Sequence, residues 1–241
     1  MAIVMRGWPW LGLGLALAIL AVLLRPRPGL SLGARLRLPT TLAWLGLPLY
    51  MLHQVEEHGV DLLGRTYAFQ AGLCDTIGHH GPIATCPASE AFILAVNVGA
   101  VWIALVGAGV LGRARPPVIA AGLGIAAVNT VAHVAAMARS GAYNPGVLTS
   151  IILFVPGCAW ILRELLRQGR LRRWQLALVP VSGVAVHAIL LGGLALRARG
   201  AIDAPTLVVI QVANGLVPLA IGLVAAVAGR PTSARGAAAA R

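Results

Sequence analysis

Apolar runs close to twenty residues long recur along this chain, and that one feature leaves few folds open to it. Each is long enough to cross a bilayer as a helix, which takes about 20 residues, and a backbone in lipid must satisfy its own hydrogen bonds. The runs lack the alternation of a barrel strand, so the reading is all-α: a polytopic transmembrane helical bundle of about seven spans. They lie near Trp8 to Leu24, Thr41 to Leu63, Ala91 to Leu111, Pro117 to Met137, Val147 to Leu165, Leu176 to Leu196 and Leu207 to Ala228. A hydrophobic content of 59% against 11% charged residues agrees.

The basic residues orient this bundle. All 19 are arginine, and they cluster in alternate connections. Arg25, Arg27, Arg35, Arg37, Arg113, Arg115, Arg163, Arg167, Arg170, Arg172, Arg173, Arg230, Arg235 and Arg241 fall on one side. Only Arg6, Arg65, Arg139, Arg197 and Arg199 fall on the other. Cytoplasmic loops carry the arginine excess, so the N-terminus is expected outside and the C-terminus inside a multi-pass protein of the plasma (cytoplasmic) membrane. Arginines spaced this way are topology signals rather than a nucleic-acid footprint. The absence of lysine excludes Schiff-base and amine-nucleophile chemistry.

Residues 1–230 read as a single transmembrane domain and 231–241 as a disordered cytoplasmic tail, small, polar and basic. The first span is read as retained, because no small-residue cleavage site follows it; a cleaved signal peptide, leaving six spans, is the alternative. The longest external connection holds Cys74 and Cys86, on the oxidising side in this topology. Two readings stand there, a disulfide pinning the loop or two free thiols. Cys158, inside a span, reads as a small buried hydrophobe.

Against this oily background, "LHQVEEHGVD" (52–61) places His53, Glu56, Glu57, His58 and Asp61 within one apolar run. Ionisable groups at membrane depth are costly and face a bundle interior or a wet cavity. Other polar residues within spans include Asn97, Asn129, His133, His187, Gln211 and Asn214. Counted from the external ends, most fall in one layer of the outer half, which suggests a single pocket. His53 and Glu57 are i and i+4, with Glu56 at i+3, so all three share a face; Asn129 and His133 repeat the i, i+4 pattern. His58 sits about 140° around from His53 at 3.6 residues per turn.

Imidazoles and carboxylates in such an array suit a divalent metal, zinc or iron, with one carboxylate left as general base. Each residue also has a plainer reading. His53 with Glu57 can be a simple ion pair, His133 and His187 can be buried histidines bonded to a neighbour, and the amides can be interhelical glue. The adjacent pair Glu56 and Glu57 resists such a reading, because two carboxylates in a low dielectric need a cation, a proton or water. His79 and His80 read as a solvated pair. Tyr143 is either an interfacial anchor or a donor into the pocket, and Trp8, Trp10 and Trp174 read as belt residues.

His53-Gln-Val-Glu56-Glu57 resembles the signature of the HXXEE-motif membrane protein family. Asn129-Thr-Val-Ala-His133 is similar to that family's N-x-x-x-H element, and Tyr143-Asn-Pro-Gly146 to its Tyr-x-Pro-Gly turn, over about residues 40–195. His187 matches a further family histidine. The resemblance groups these positions but implies no reaction, since the family is of unknown function. Intramembrane CAAX-type proteases offer an analogy in chemistry only, because Asp61 stands where their motif has arginine.

The functional expectation is a metal-dependent membrane enzyme, hydrolytic on a lipid-like substrate. His53, Glu56, Glu57, His133 and His187 are the candidate ligands; Glu57 is also the candidate base, with Asn129 and Tyr143 orienting or donating. The alternatives are a proton-coupled carrier using the glutamate pair and a structural membrane subunit. The expected partners are membrane lipid and substrate, with no nucleic acid.

Overall fold

The computed structural model describes residues 2–229, with side chains from residue 6 onward. The tail expected at 231–241 lies outside the described residues. Among them no strand forms, and the elements are helices throughout. Helix α1 (Ala2–Leu24) leads through α2 (Leu32–Leu36) and α3 (Pro39–Trp44) into α4 (Gly46–His58). The loop that follows holds α5 (Phe69–Thr76) and a 3-10 turn (Ile83–Thr85). A continuous rod then runs as α6 (Glu90–Leu94), a π-helical stretch (Ala95–Trp102) and α7 (Ile103–Gly112). Next come α8 (Pro117–Ser140), and α9 (Val147–Thr149), which passes through a second π stretch (Ser150–Phe154) into α10 (Val155–Arg167). A 3-10 turn (Arg173–Ala177) opens α11 (Leu178–Ala198), followed by α12 (Ala204–Asn214) and α13 (Val217–Ala228).

Six of these helical stretches are long and apolar enough to cross a membrane: Arg6–Leu24, Glu90–Gly112, Pro117–Ser140, Val147–Arg167, Arg173–Ala198 and Ala204–Ala228. Their surfaces expose large apolar side chains such as Leu17, Val22, Val110, Val131, Val209 and Val224, as a lipid-facing surface would. The run expected at Thr41–Leu63 is not among the six. It divides into α3 and α4 at Leu45, which keeps helical angles (φ −63°, ψ −31°), and ends at His58. Pro48 lacks the N–H that would bond the Trp44 carbonyl, so the ladder is interrupted there without a change of backbone class.

The core gathers around the first half of α8. Every residue from Pro117 to Ala126 is buried, so this segment is apolar on all sides and enclosed by its neighbours. Helices α8 and α11 touch backbone to backbone where Gly124 meets Gly183. A Cβ on Gly183 would lie 2.2 Å from the Gly124 carbonyl oxygen, so only glycine permits the crossing. At the arginine-rich end, Glu164 is buried at 2% exposure and held by Arg37 and Arg167, each at 3.5 Å. Sequence reading did not single it out.

At the opposite end, the Cys loop is more ordered than a bare connection. Cys74 and Cys86 are joined in a disulfide, with Cα atoms 6.0 Å apart. Both sulfurs sit in an apolar cluster with Trp8, Ala88, Phe92 and Leu207. Trp8 is therefore a packed residue at 6% exposure, whereas Trp10 and Trp174 remain exposed. Helix α4 meets α8, α9 and the loop's α5 at this end.

Candidate metal centre

Three side chains converge where those helix ends meet. The ligand atoms of His53, Glu57 and His133 all lie within 4.8 Å of one another. All three are buried, at 0%, 5% and 5% exposure. The i, i+4 spacing on α4 stacks His53 under Glu57, whose Oε2 is 3.5 Å from His53 Nε2. Helix α8 brings His133 Nε2 to 3.2 Å from Glu57 Oε1. His58, which is not part of that set, places its Nε2 2.9 Å from Glu57 Oε2.

Hydrogen bonds behind the imidazoles decide which ring nitrogens face the centre. The Asn144 side-chain NH2 donates to the His133 carbonyl at 3.0 Å, so its Oδ1 is the acceptor 2.7 Å from His133 Nδ1. His133 Nδ1 therefore carries a proton, and in the neutral ring Nε2 is a lone pair. That Nε2 is buried and makes no hydrogen bond among the described residues. His53 Nδ1 lies 2.9 Å from the Thr149 hydroxyl, which donates in turn to Glu56 Oε2. His53 thus gives its Nδ1 proton outward and presents Nε2 inward, 3.0 Å from the Asn129 amide nitrogen.

The two glutamates part company. Glu57 points into the imidazole cluster. Glu56 turns to the start of α9, where its carboxylate takes four donors: Tyr143 Oη (2.6 Å), Leu148 N–H (3.2 Å), Thr149 N–H (2.7 Å) and the Thr149 hydroxyl. Four donors fill the lone-pair sites of a carboxylate. Tyr143 is fixed between Glu56 and the Leu62 N–H, which donates to its oxygen at 3.0 Å. Burial, and then the bond to Glu56, push the Tyr143 phenol well above its ordinary range, so it stays a protonated donor.

The turn between α8 and α9 is shaped to the site. Gly146 has φ +94°, and a Cβ there would lie 2.7 Å from His133 Cε1 and 2.9 Å from His53 Cε1. Glycine lets the backbone approach both rings. The two π stretches, where such distortions often mark functional sites, flank the cluster: one carries Asn97, and the other begins just after Thr149.

The remaining polar residues lie apart. His187 Nδ1 is 2.8 Å from the carbonyl of Gly183 on its own helix, and His187 is not in the converging set. The Asn214 NH2 donates to the Val186 carbonyl and pairs loosely with Gln211, a grouping of α11 with α12. The Asn214 amide thus ties α12 to α11. His79 bonds to Pro82 and Thr85, and His80 is largely exposed near Asp75.

Residues 44–161 match the family described as "Protein of unknown function with HXXEE motif". This segment is an HXXEE-motif domain. His53, Glu56 and Glu57 are the motif's own letters, and His133, Tyr143 and Gly146 lie inside the matched segment, whereas His187 lies beyond it. No curated protein and no solved structure matches the chain.

Sequence reasoning missed Thr149 and Asn144. Thr149 and Asn144 act through bonds to site residues distant in sequence, and nothing in their local pattern marks that. His58 lies about 140° around the helix from His53, and Glu57 stands between them and faces both.

Proposed function

We propose that the HXXEE domain holds a divalent metal ion, zinc or iron, between His53, Glu57 and His133, and uses it in hydrolytic chemistry on a lipid-like substrate. The observation that carries this reading is the convergence of two imidazoles and a carboxylate at full burial, with His133 Nε2 unpartnered against Glu57 Oε1. Two facing acceptors in a low dielectric need a proton or a cation between them, and a His/His/carboxylate set is a familiar protein environment for zinc. When bound, such an ion supplies Lewis-acid activation of water and of a carbonyl or phosphoryl oxygen.

The chain's own residues divide the work. Glu56 acts from outside the centre, through the Thr149 hydroxyl, to hold the His53 ring and its tautomer, as carboxylates behind metal-binding histidines do. Asn144 does the same for His133. Tyr143 and the α9 N–H groups hold Glu56, and Asn129 sits beside His53 Nε2, placed to orient a group at the centre. His187 has no part in this assignment.

The same reading completes the topology. Helical backbone from Pro39 to His58 is about 30 Å long at 1.5 Å per residue, enough for a seventh span that carries the site at its outer end. The arginine distribution supports an N-terminus outside and a C-terminus in the cytoplasm, and the proposed membrane is the plasma membrane. The test is turnover of a panel of lipid esters, amides and phosphoesters by purified protein in liposomes. The expected result is hydrolysis abolished by chelation, restored by zinc or ferrous iron, and absent in Glu57→Gln. Hydrolysis that survives chelation and Glu57→Gln alike would refute the assignment.

A further inference from the structure

The arginine-rich end of the bundle carries more positive charge than its own residues balance. The chain has seven Asp and Glu in all, and Glu164 is the one that falls at this end. It is already held by Arg37 and Arg167, each at 3.5 Å. The remaining guanidiniums repel one another unless an anion comes from outside.

Three of them border a single cavity. Arg115, Arg170 and Arg172 line a space of about 320 Å³, together with Pro116 and Pro117 at the start of α8 and the last residues of α13. Among the described residues no carboxylate lines it. The fold holds these walls in place. After Gly169, at φ +65°, the chain turns, and the Arg170 guanidinium donates to the Arg113 carbonyl in the α7–α8 connection. Gln175, buried at 4% exposure, accepts the Arg172 N–H at 2.9 Å and donates to the Ala225 carbonyl at 3.4 Å. The same loop is thereby tied to α13. Helix α8, 24 residues long, adds the positive end of its dipole.

The depth of the cavity says which anion fills it. Its residues flank membrane-length stretches that end at Gly112, Arg167 and Ala228 and begin at Pro117 and Arg173. That is the layer where lipid headgroups sit. Trp174, half exposed and packed near Gly229, stands beside the opening as an interfacial tryptophan does.

We propose that this cavity binds the phosphate of an anionic phospholipid headgroup, with Arg115 and Arg172 as its charged contacts and Arg170 completing the cradle. Guanidinium forks match pairs of phosphate oxygens, and basic pockets between transmembrane helices take anionic headgroups. Free phosphate offers the same oxygens but has no acyl chains to hold it at this depth. The site is separate from the His53–Glu57–His133 cluster and does not depend on a metal there.

The experiment titrates the full-length protein in detergent micelles with phosphatidylglycerol, phosphatidylcholine and inorganic phosphate, and counts bound lipid by native mass spectrometry. The wild type is expected to retain phosphatidylglycerol over phosphatidylcholine, with inorganic phosphate at equal concentration failing to displace it. Arg115→Gln plus Arg172→Gln should weaken phosphatidylglycerol roughly 30-fold, at about fivefold for each arginine. Arg197→Gln plus Arg199→Gln removes the same charge at the opposite end and should leave binding unchanged. Should the Arg115/Arg172 double variant unfold, the two single variants report, each with a loss of about fivefold. Equal retention of the two lipids by the wild type would overturn the proposal. So would displacement by inorganic phosphate, equal losses in the two double variants, or wild-type affinity in both single variants.

Discussion

Gly146→Ala separates the geometry of the centre from ordinary backbone effects. At φ +94° an L-residue costs about 1–2 kcal/mol through its Cβ clash with the backbone. The added methyl would also sit 2.7 Å from His133 Cε1 and 2.9 Å from His53 Cε1. Carbon atoms prefer about 3.5–4.0 Å, so both rings must move by a good part of an ångström. Overpacking of that kind costs about 1–3 kcal/mol more, giving a loss of roughly 2–5 kcal/mol.

Gly141→Ala, in the same turn, is the internal control. Gly141 has φ +65° with nothing within 4 Å of a built Cβ, so only the backbone cost of about 1–2 kcal/mol applies. Denaturant unfolding in mixed micelles measures the stabilities, and competition with a chromophoric chelator measures zinc affinity. Gly146→Ala should lose stability beyond the control and weaken zinc by at least the roughly 10- to 100-fold of a disturbed outer partner. Gly141→Ala should leave zinc affinity unchanged. Equal zinc affinity in the two variants would refute the claim that the turn is fitted to the rings.

The glutamate pair should split by function. Glu56→Gln is expected to destabilise the fold by about 1.5–3 kcal/mol for each charged hydrogen bond it loses, and to weaken zinc roughly 10- to 100-fold without abolishing it. Glu57→Gln should abolish zinc binding, and calorimetric titration of both variants checks the difference; similar losses in both would contradict the division of roles. Removing the disulfide with Cys74→Ser plus Cys86→Ser should cost about 3 kcal/mol of stability for a loop of this length, with zinc binding retained. Unfolding and metal titration read the two effects separately, and an unchanged unfolding midpoint would overturn the first.

The parts of this protein that show in its sequence are those set by period. Apolar runs gave the helices, and i, i+4 spacing grouped His53 with Glu57 and Asn129 with His133 because one helix face is a local property. Residues that act across helices left no such trace. Asn144 and Thr149 orient the two imidazoles from an ordinary turn and helix start, and Asn97 reaches His58 from a π stretch that no apolar pattern announces. The division between Glu56 and Glu57 was also hidden. Adjacent carboxylates look alike until backbone N–H groups from α9 claim one of them. The helix α3–α4 looked like a plain span because Pro48 interrupts its hydrogen-bond ladder without disturbing its hydropathy.

The central claim is that the buried His53–Glu57–His133 cluster exists to hold a divalent ion. Elemental analysis of the purified protein, beside a His53→Ala plus Glu57→Gln variant prepared identically, tests it most directly. A single zinc or iron per chain in the wild type, and none in the variant, is the predicted result. Metal-free wild type that also fails to take up added zinc or ferrous iron, or equal metal in both proteins, would contradict it.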